Sequence, residues 1–253
     1  MEDPKVNYQT NTTFGSRIQD MKDDKWKVAE RVVEDFIGTG SSAFIGDGSS
    51  TFSIGLKLFA RGRQVKLWTN HLAIAHEFAL RASTSTLVGT EVTLAGGDVN
   101  RDLMMTCGPD AEAFAEASSK KAQNVVLSAR CLFAEHGPAG LETQSLNIKQ
   151  LATNGATAGG RRLIFITDYK KLSQEYSDDI PLVFPSEADW DAFMHRKNVY
   201  IVTTRHPDAP TMVQRSVSNP RSEVEWYCYH SRKLNAVMNT MIGGQRKDHF
   251  IEI

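Results

Sequence analysis

Two hydrophobic patterns alternate along this chain. Short, almost continuously apolar runs occur at SAFIGD (42–47), VKLWTN (65–70), VTLAGG (92–97), NVVLSA (124–129), LIFITD (163–168) and VYIVTT (199–204). Apolarity of that kind over so few residues predicts strands covered on both faces, as in parallel sheets. Between them lie stretches with helical spacing. In 25–37, Trp26, Val28, Ala29, Val32, Val33, Phe36 and Ile37 share one broad face. Similar patterns cover 50–61, 71–81, 110–119, 146–152 and 186–196, the last opened by Ser186 and Asp189 at the spacing of an N-cap pair. The alternation predicts an α/β protein: a mostly parallel sheet of about five to seven strands with helices on both faces.

Composition narrows the classes without changing this picture. The chain has 253 residues, 41% of them hydrophobic and 23% charged, as in ordinary globular proteins. Its formal net charge of −1 supplies no basic field for nucleic acid, and with 9% aromatic residues it shows no basic-aromatic groove for a single strand. No apolar run reaches the roughly 18 residues of a membrane helix, so no membrane partner is expected. Residues 1–17 are polar and lack the core of a signal peptide. Three widely spaced cysteines, Cys107, Cys131 and Cys228, suggest neither a disulfide framework nor a zinc site. They fit a cytoplasmic location. The seven histidines show no metal-binding spacing on a helix face, so neither metal nor other cofactor is expected.

In open parallel sheets, ligands sit beyond the carboxyl ends of the strands. The residues there are Asp47 to Thr51, then Thr69-Asn70-His71, Gly96-Gly97-Asp98, Arg130 to Gly137 and Asp168 to Lys171. Their glycines, hydroxyls, amides and charges suit a small, oxygen-rich anion. At the first tip, Gly48 allows close backbone approach, Ser49, Ser50 and Thr51 offer hydroxyls, and a helix starting near Ser50 offers unpaired N–H groups. Two readings are open for this stretch: an anion cradle, or a tight turn with an N-cap. It is neither a P-loop nor a dinucleotide fingerprint, because no Gly-Lys-Ser/Thr follows and the glycine spacing differs.

The order of these tips resembles the C-terminal effector domain of DeoR-family regulators over about residues 25–205. Asp47, Gly48, Ser49, Ser50 and Thr51 match that family's Asp-x-Gly-Thr/Ser-Thr-Thr turn. Thr69 and Asn70 match its Thr-Asn pair, Gly96 and Gly97 its double glycine, Gly108 its later glycine, and Asp168 with Lys171 its Asp-x-x-Lys. The resemblance implies a Rossmann-like fold shared with ribose-phosphate isomerases, glucosamine-phosphate deaminases, phosphogluconolactonases and coenzyme A transferases. It also implies a phosphosugar or similar polyol as ligand. Asp47–Thr51 would hold the phosphate, and Thr69, Asn70 and Lys171 would line the rest, with Gly96, Gly97 and Asp168 in the same binding set.

The chain departs from the family pattern in places. Regulators of this family carry a helix-turn-helix ahead of the effector domain. Here residues 1–24 read as an arm with no room for a recognition helix, so no direct specific DNA binding is expected. Residues 25–206 form the α/β unit and 207–253 a C-terminal extension. In that extension Ser222 to Met241 has a helical pattern and HFIEI suits an edge strand. It is expected to pack on the unit or on a partner subunit, in a homo-oligomer. The tip ARCLFAEHGPAGLE (129–142) sets Glu135 beside His136. With Lys171 these are the candidate catalytic residues, since an acid, a histidine and a lysine near a sugar can transfer protons and hold developing charge. Two functions are therefore carried forward. One is a sensor-like binding module without a DNA arm. The other is a stand-alone isomerase, deaminase, hydrolase or retro-aldol-type enzyme.

Overall fold

The computed structural model describes residues 13–81, 87–133, 136–140, 142–173, 198–204 and 250–252, together with Val183, Trp190 and Arg196. Two helices come first, α1 (Thr13–Gln19) and α2 (Lys22–Asp35), followed by β1 (Ser42–Ile45), α3 (Ser49–Ala60), β2 (Lys66–Thr69), α4 (Leu72–Arg81) and β3 (Glu91–Leu94). Next are β4 (Asp98–Asn100), β5 (Met105–Cys107), α5 (Pro109–Lys121), β6 (Asn124–Ser128), β7 (Cys131–Phe133) and β8 (Gly137–Ala139). The rest comprises α6 (Thr143–Ala158), β9 (Arg162–Ile166), a 3-10 turn (Tyr169–Lys171), β10 (Leu172–Ser173), β11 (Val199–Thr203) and β12 (Phe250–Glu252).

The main sheet has seven strands in the order β12-β11-β9-β6-β1-β2-β3, and every neighbouring pair is parallel. The chain is therefore an α/β protein of Rossmann-like architecture, as the alternation predicts. Successive side chains along a strand serve opposite faces. Phe44, Val125, Leu127, Leu163 and Phe165 join the core under α5 and α6. Ala43, Ile45, Val126, Ile164 and Ile166 join the core under α2, α3 and α4. Each strand feeds both layers, which is why its sequence is apolar throughout rather than alternating. α5 and α6 approach closely: a Cβ on Gly155 would lie 2.4 Å from the Glu116 carbonyl oxygen.

Strand order is what creates a site. From β1 the chain runs outward on one side through β2 and β3, then returns to build β6, β9, β11 and β12 on the other. The β1–β6 junction is the topological switch point, where loops diverge and leave a crevice at the strand ends. Parallel register brings Ile45 opposite both Thr69 and Val126.

The structure differs from the sequence expectations in two respects. Helix α1 occupies part of the segment expected to be an arm. Phe14, 2% exposed, packs edge-on against Phe52 and His71 and ties it down. Two small sheets, β10-β7-β8 and β4-β5, do not show in the periodicity. Their strands of two or three residues are too short to carry a pattern. The edge strand expected in HFIEI is β12, paired in parallel with β11. The helical patterns in the C-terminal extension, and that over 186–196 apart from Trp190 and Arg196, lie outside the described residues. Among the described residues, no helix is long and apolar enough to cross a membrane.

Candidate functional site

The crevice at the switch point is lined by Asp47–Ser50 after β1, by Ser128, Ala129 and Arg130 at the end of β6, and by Glu142, Ser145 and Lys149 at the start of α6. Lys171 from the 3-10 turn, Arg17 from α1, Asp20 from the turn after it and Lys25 from α2 complete its walls. Five cationic side chains thus face three carboxylates, a formal excess of two positive charges in a chain whose total is −1.

The β1 tip is built around Gly48. Its φ of 124° and ψ of 152° belong to a region open only to glycine. An added Cβ would sit 2.3 Å from Ser128 Oγ, the hydroxyl that donates to the Asp47 carbonyl at 2.8 Å. Gly48 caps α3 without a side-chain hydrogen bond. The first intrahelical bond runs from Phe52 N to the Gly48 carbonyl at 2.9 Å. The earlier amides, at Ser49, Ser50 and Thr51, have no acceptor within the helix, and Ser49 and Ser50 face the crevice. That end of the helix also carries the positive pole of its dipole.

Asp47 is 4% exposed. Its Oδ2 accepts from Ser145 Oγ at 2.6 Å and lies 3.6 Å from the Lys149 ammonium. Its Oδ1 is buried with no partner among the described residues. Across the crevice the Lys171 ammonium lies 2.8 Å from Asp168 Oδ2, and Asp168 Oδ1 is likewise unpartnered among the described residues. Buried carboxylate oxygens without partners are acceptors in want of a donor. Lys25 is buried and donates to the carbonyls of Arg17 and Asp20. Burial, aided by the charge of Lys171, lowers its pKa from 10.5 to about 8, against the opposing pull of Asp20 and Asp168.

The family model of the DeoR C terminal sensor domain matches residues 20–179. The chain belongs to that family. No curated protein sequence matches it. Among solved structures, translation initiation factor eIF-2B of Pyrococcus horikoshii OT3 is similar at 12% identity and a TM-score of 0.45, over 64% of this chain and 51% of that one. Ribose 5-phosphate isomerase of Plasmodium falciparum is similar at 14% identity and 0.37, over 59% and 52%. Ribose 5 phosphate isomerase A of Neisseria gonorrhoeae is similar at 14% and 0.40, over 60% and 54%. The chain thus spans about half the length of these structures.

Within this DeoR-type sensor domain, the residues singled out from sequence separate into groups. Asp47, Gly48, Ser49, Ser50 and Lys171 line the crevice. Asp168 stands behind Lys171 as its counter-charge. Thr51 and Thr69 lie beneath the crevice as supports, their hydroxyls donating to the carbonyls of Gly48 at 2.7 Å and Ile45 at 2.6 Å. Asn70 is fully buried, its amide 3.4 Å from the Thr106 carbonyl. Gly96 and Gly97 are exposed and line no part of the crevice. Gly97 has φ 115°, and a Cβ there would meet the Cys107 carbonyl at 2.3 Å, so it serves the β4–β5 hairpin. His136 packs edge-on near Phe133 in the β7–β8 turn, outside the crevice lining. Glu135 lies outside the described residues.

Sequence reasoning missed Arg17, Lys25, Ser128, Ser145 and Lys149 as wall residues, and named Arg130 only as the start of a strand tip. Ser145 and Lys149 left one faint signal: they are four apart, hence on one helix face, beside the apolar Ile148 and Ala152.

His71 joins the β2 tip to Gly48. Its Nε2–H donates to the Gly48 carbonyl at 3.1 Å, and its ring lies against Phe14 and Phe52. Complete burial lowers its pKa from 6.5 to about 4, outweighing the charge of Asp47 and the backbone acceptors. The unfolded chain takes up this proton near pH 6.5 and the folded one only near 4, so stability falls as pH drops through that window. Urea denaturation from pH 7 to pH 4 is expected to show this loss, and a His71→Asn variant a shallower one. Equal slopes in the two proteins would show that His71 does not titrate as described.

Proposed function

We propose that this sensor domain binds a small phosphorylated or carboxylated sugar or polyol at the β1–β6 crevice. One observation carries the proposal: the open N-terminus of α3 coincides with five lining cations, against three lining carboxylates and the Asp168 carboxylate behind Lys171. The phosphate or carboxylate lies against the amides of Ser49 and Ser50, within reach of Lys25, Lys149 and Lys171. The unpartnered Oδ1 of Asp47, at the crevice wall, accepts a hydrogen bond from a ligand hydroxyl, which selects a polyol over a bare anion. Family membership supports the same ligand class. Three further readings accompany this one: a cytoplasmic location, a homo-oligomeric state, and no sequence-specific DNA binding by these residues.

Calorimetric titration with ribose 5-phosphate, inorganic phosphate and ribose tests the assignment. The expected order of affinity is ribose 5-phosphate, then phosphate, then ribose. Equal binding of ribose and ribose 5-phosphate would remove the anion site. The same titration has a predicted pH dependence. Lys25 loses its proton near pH 8, where a phosphate monoester is already fully charged, so affinity falls as pH rises from about 7.5 to 9.5. A Lys25→Met variant is expected to bind more weakly at pH 7 and to flatten that profile. A wild-type profile that is flat across this range would exclude Lys25 from the ligand's shell.

A further inference from the structure

α1 precedes the residues that match the family, yet it forms one wall of the crevice. Besides Ile18, which packs against the core under α2, α3 and α4, its attachments include three that bear on the crevice. Phe14 plugs an aromatic site, 5.6 Å from Phe52 and 5.1 Å from His71 between ring centroids. Arg17 reaches across to the residue that precedes α6, its Nη2 lying 2.7 Å from Glu142 Oε1. The Lys25 ammonium clasps the carbonyls of Arg17 and Asp20 at the end of the helix. The joint to α2 is Met21 at φ 50° and ψ 38°, a left-handed conformation that costs a residue with a side chain some strain. A helix of seven residues beyond a strained joint is a unit suited to local opening.

The attachments and the crevice share groups. Arg17 and Lys25 hold α1 and also line the crevice, whereas Phe14 holds α1 without lining it. With the crevice empty, the charges of Lys25 and Lys171 act against each other. An anion between them would relieve that repulsion and would hold Arg17, on α1, and Lys25, which clasps the end of α1, at the crevice wall. We propose that α1 is a strap whose docking is coupled to anion binding, so that occupancy of the crevice is read out at the N-terminal end of the domain. This rests on the crevice being an anion site. Coupling of this kind is reciprocal: the factor by which the anion tightens α1 is the factor by which docked α1 tightens the anion.

Hydrogen exchange of the α1 amides, with and without ribose 5-phosphate, tests the strap in the full chain. The ligand is expected to slow exchange over α1 by at least about fivefold, and Phe14→Ala to weaken ligand affinity by a similar factor although Phe14 touches no ligand. Glu142→Gln leaves the plug intact but loosens the Arg17 contact. It is expected to speed α1 exchange in the empty protein by about threefold, with the ligand restoring protection. If ribose 5-phosphate binds but leaves α1 exchange unchanged, and Phe14→Ala binds as the wild type does, the strap is overturned and the anion site stands. If Phe14→Ala fails to fold, unchanged α1 exchange in Glu142→Gln overturns the strap. If neither ribose 5-phosphate nor phosphate binds the unaltered protein, the anion site and the strap fall together.

Discussion

Gly48→Val is expected to abolish binding of ribose 5-phosphate and to lower stability. Two effects add. The backbone at φ 124° is one that a side chain occupies only at a cost of roughly 1–3 kcal/mol. The new Cβ would also lie 2.3 Å from Ser128 Oγ, and forcing that contact costs about 1–3 kcal/mol more. Ser128 cannot simply withdraw, because its hydroxyl holds the Asp47 carbonyl and so sets the turn that presents Ser49 and Ser50. Any relaxation therefore moves the amides away from the anion. At about 1.4 kcal/mol for each factor of ten, the loss of affinity is expected to exceed about 100-fold. Gly96→Ala is the control. Nothing lies within 4 Å of a Cβ at Gly96, so stability should stay within about 0.5 kcal/mol of wild type and binding should not change. Urea denaturation and calorimetry of the two variants check this, and retained affinity in Gly48→Val would remove the β1 tip from the site.

Asp47→Ala is expected to cost about 3–5 kcal/mol of stability in the absence of ligand, the usual consequence of leaving a buried charge without its partner. Lys149, with 7% of its side chain exposed, would lose the carboxylate 3.6 Å away, and Ser145 Oγ would lose its acceptor at 2.6 Å. The sign of the ligand effect separates this from ordinary core damage. With Asp47 gone the crevice holds five cations against two carboxylates, so inorganic phosphate becomes a better partner for Lys149. Phosphate should therefore raise the melting temperature of Asp47→Ala by more than that of the wild type. Asp47→Asn keeps an acceptor for Ser145 and should lose less stability. A phosphate effect no larger in Asp47→Ala than in the wild type would mean that Lys149 does not face the anion.

The β1 tip was legible in the sequence because it is local. Apolar residues ending in Asp-Gly-Ser-Ser, with a helix starting at once, place glycine, hydroxyls and open amides within one turn of chain. Lys171 was legible for a similar reason, being three residues from Asp168 at the end of an apolar strand. Arg17, Lys25, Ser145 and Lys149 were not. Asp47 and Ser145 stand 98 positions apart, and Arg17 and Glu142 stand 125 apart. No pattern along the chain reports such neighbours. Thr51, Thr69 and Asn70 have the residue types of a ligand site, but strand tips also need donors to hold their own carbonyls, and composition alone does not distinguish these uses.

The sequence by itself determined the main-sheet strands, the helices α2 to α6 and their layering. Strands buried on both faces must be apolar along their length, helices that cover them must be apolar on one side, and both requirements are written in consecutive residues. The order of strands was decided only in the tertiary structure, and with it the membership of the site. Gly96 and Gly97 end a strand as Asp47 and Gly48 do, but β3 stands at the sheet edge and β1 beside β6 at the switch point. Which tips become neighbours depends on how crossover helices pack on each face of the sheet, a competition among long-range contacts. For the same reason α1 became part of the crevice: Phe14 fits between Phe52 and His71 only once β1, β2 and α3 are assembled.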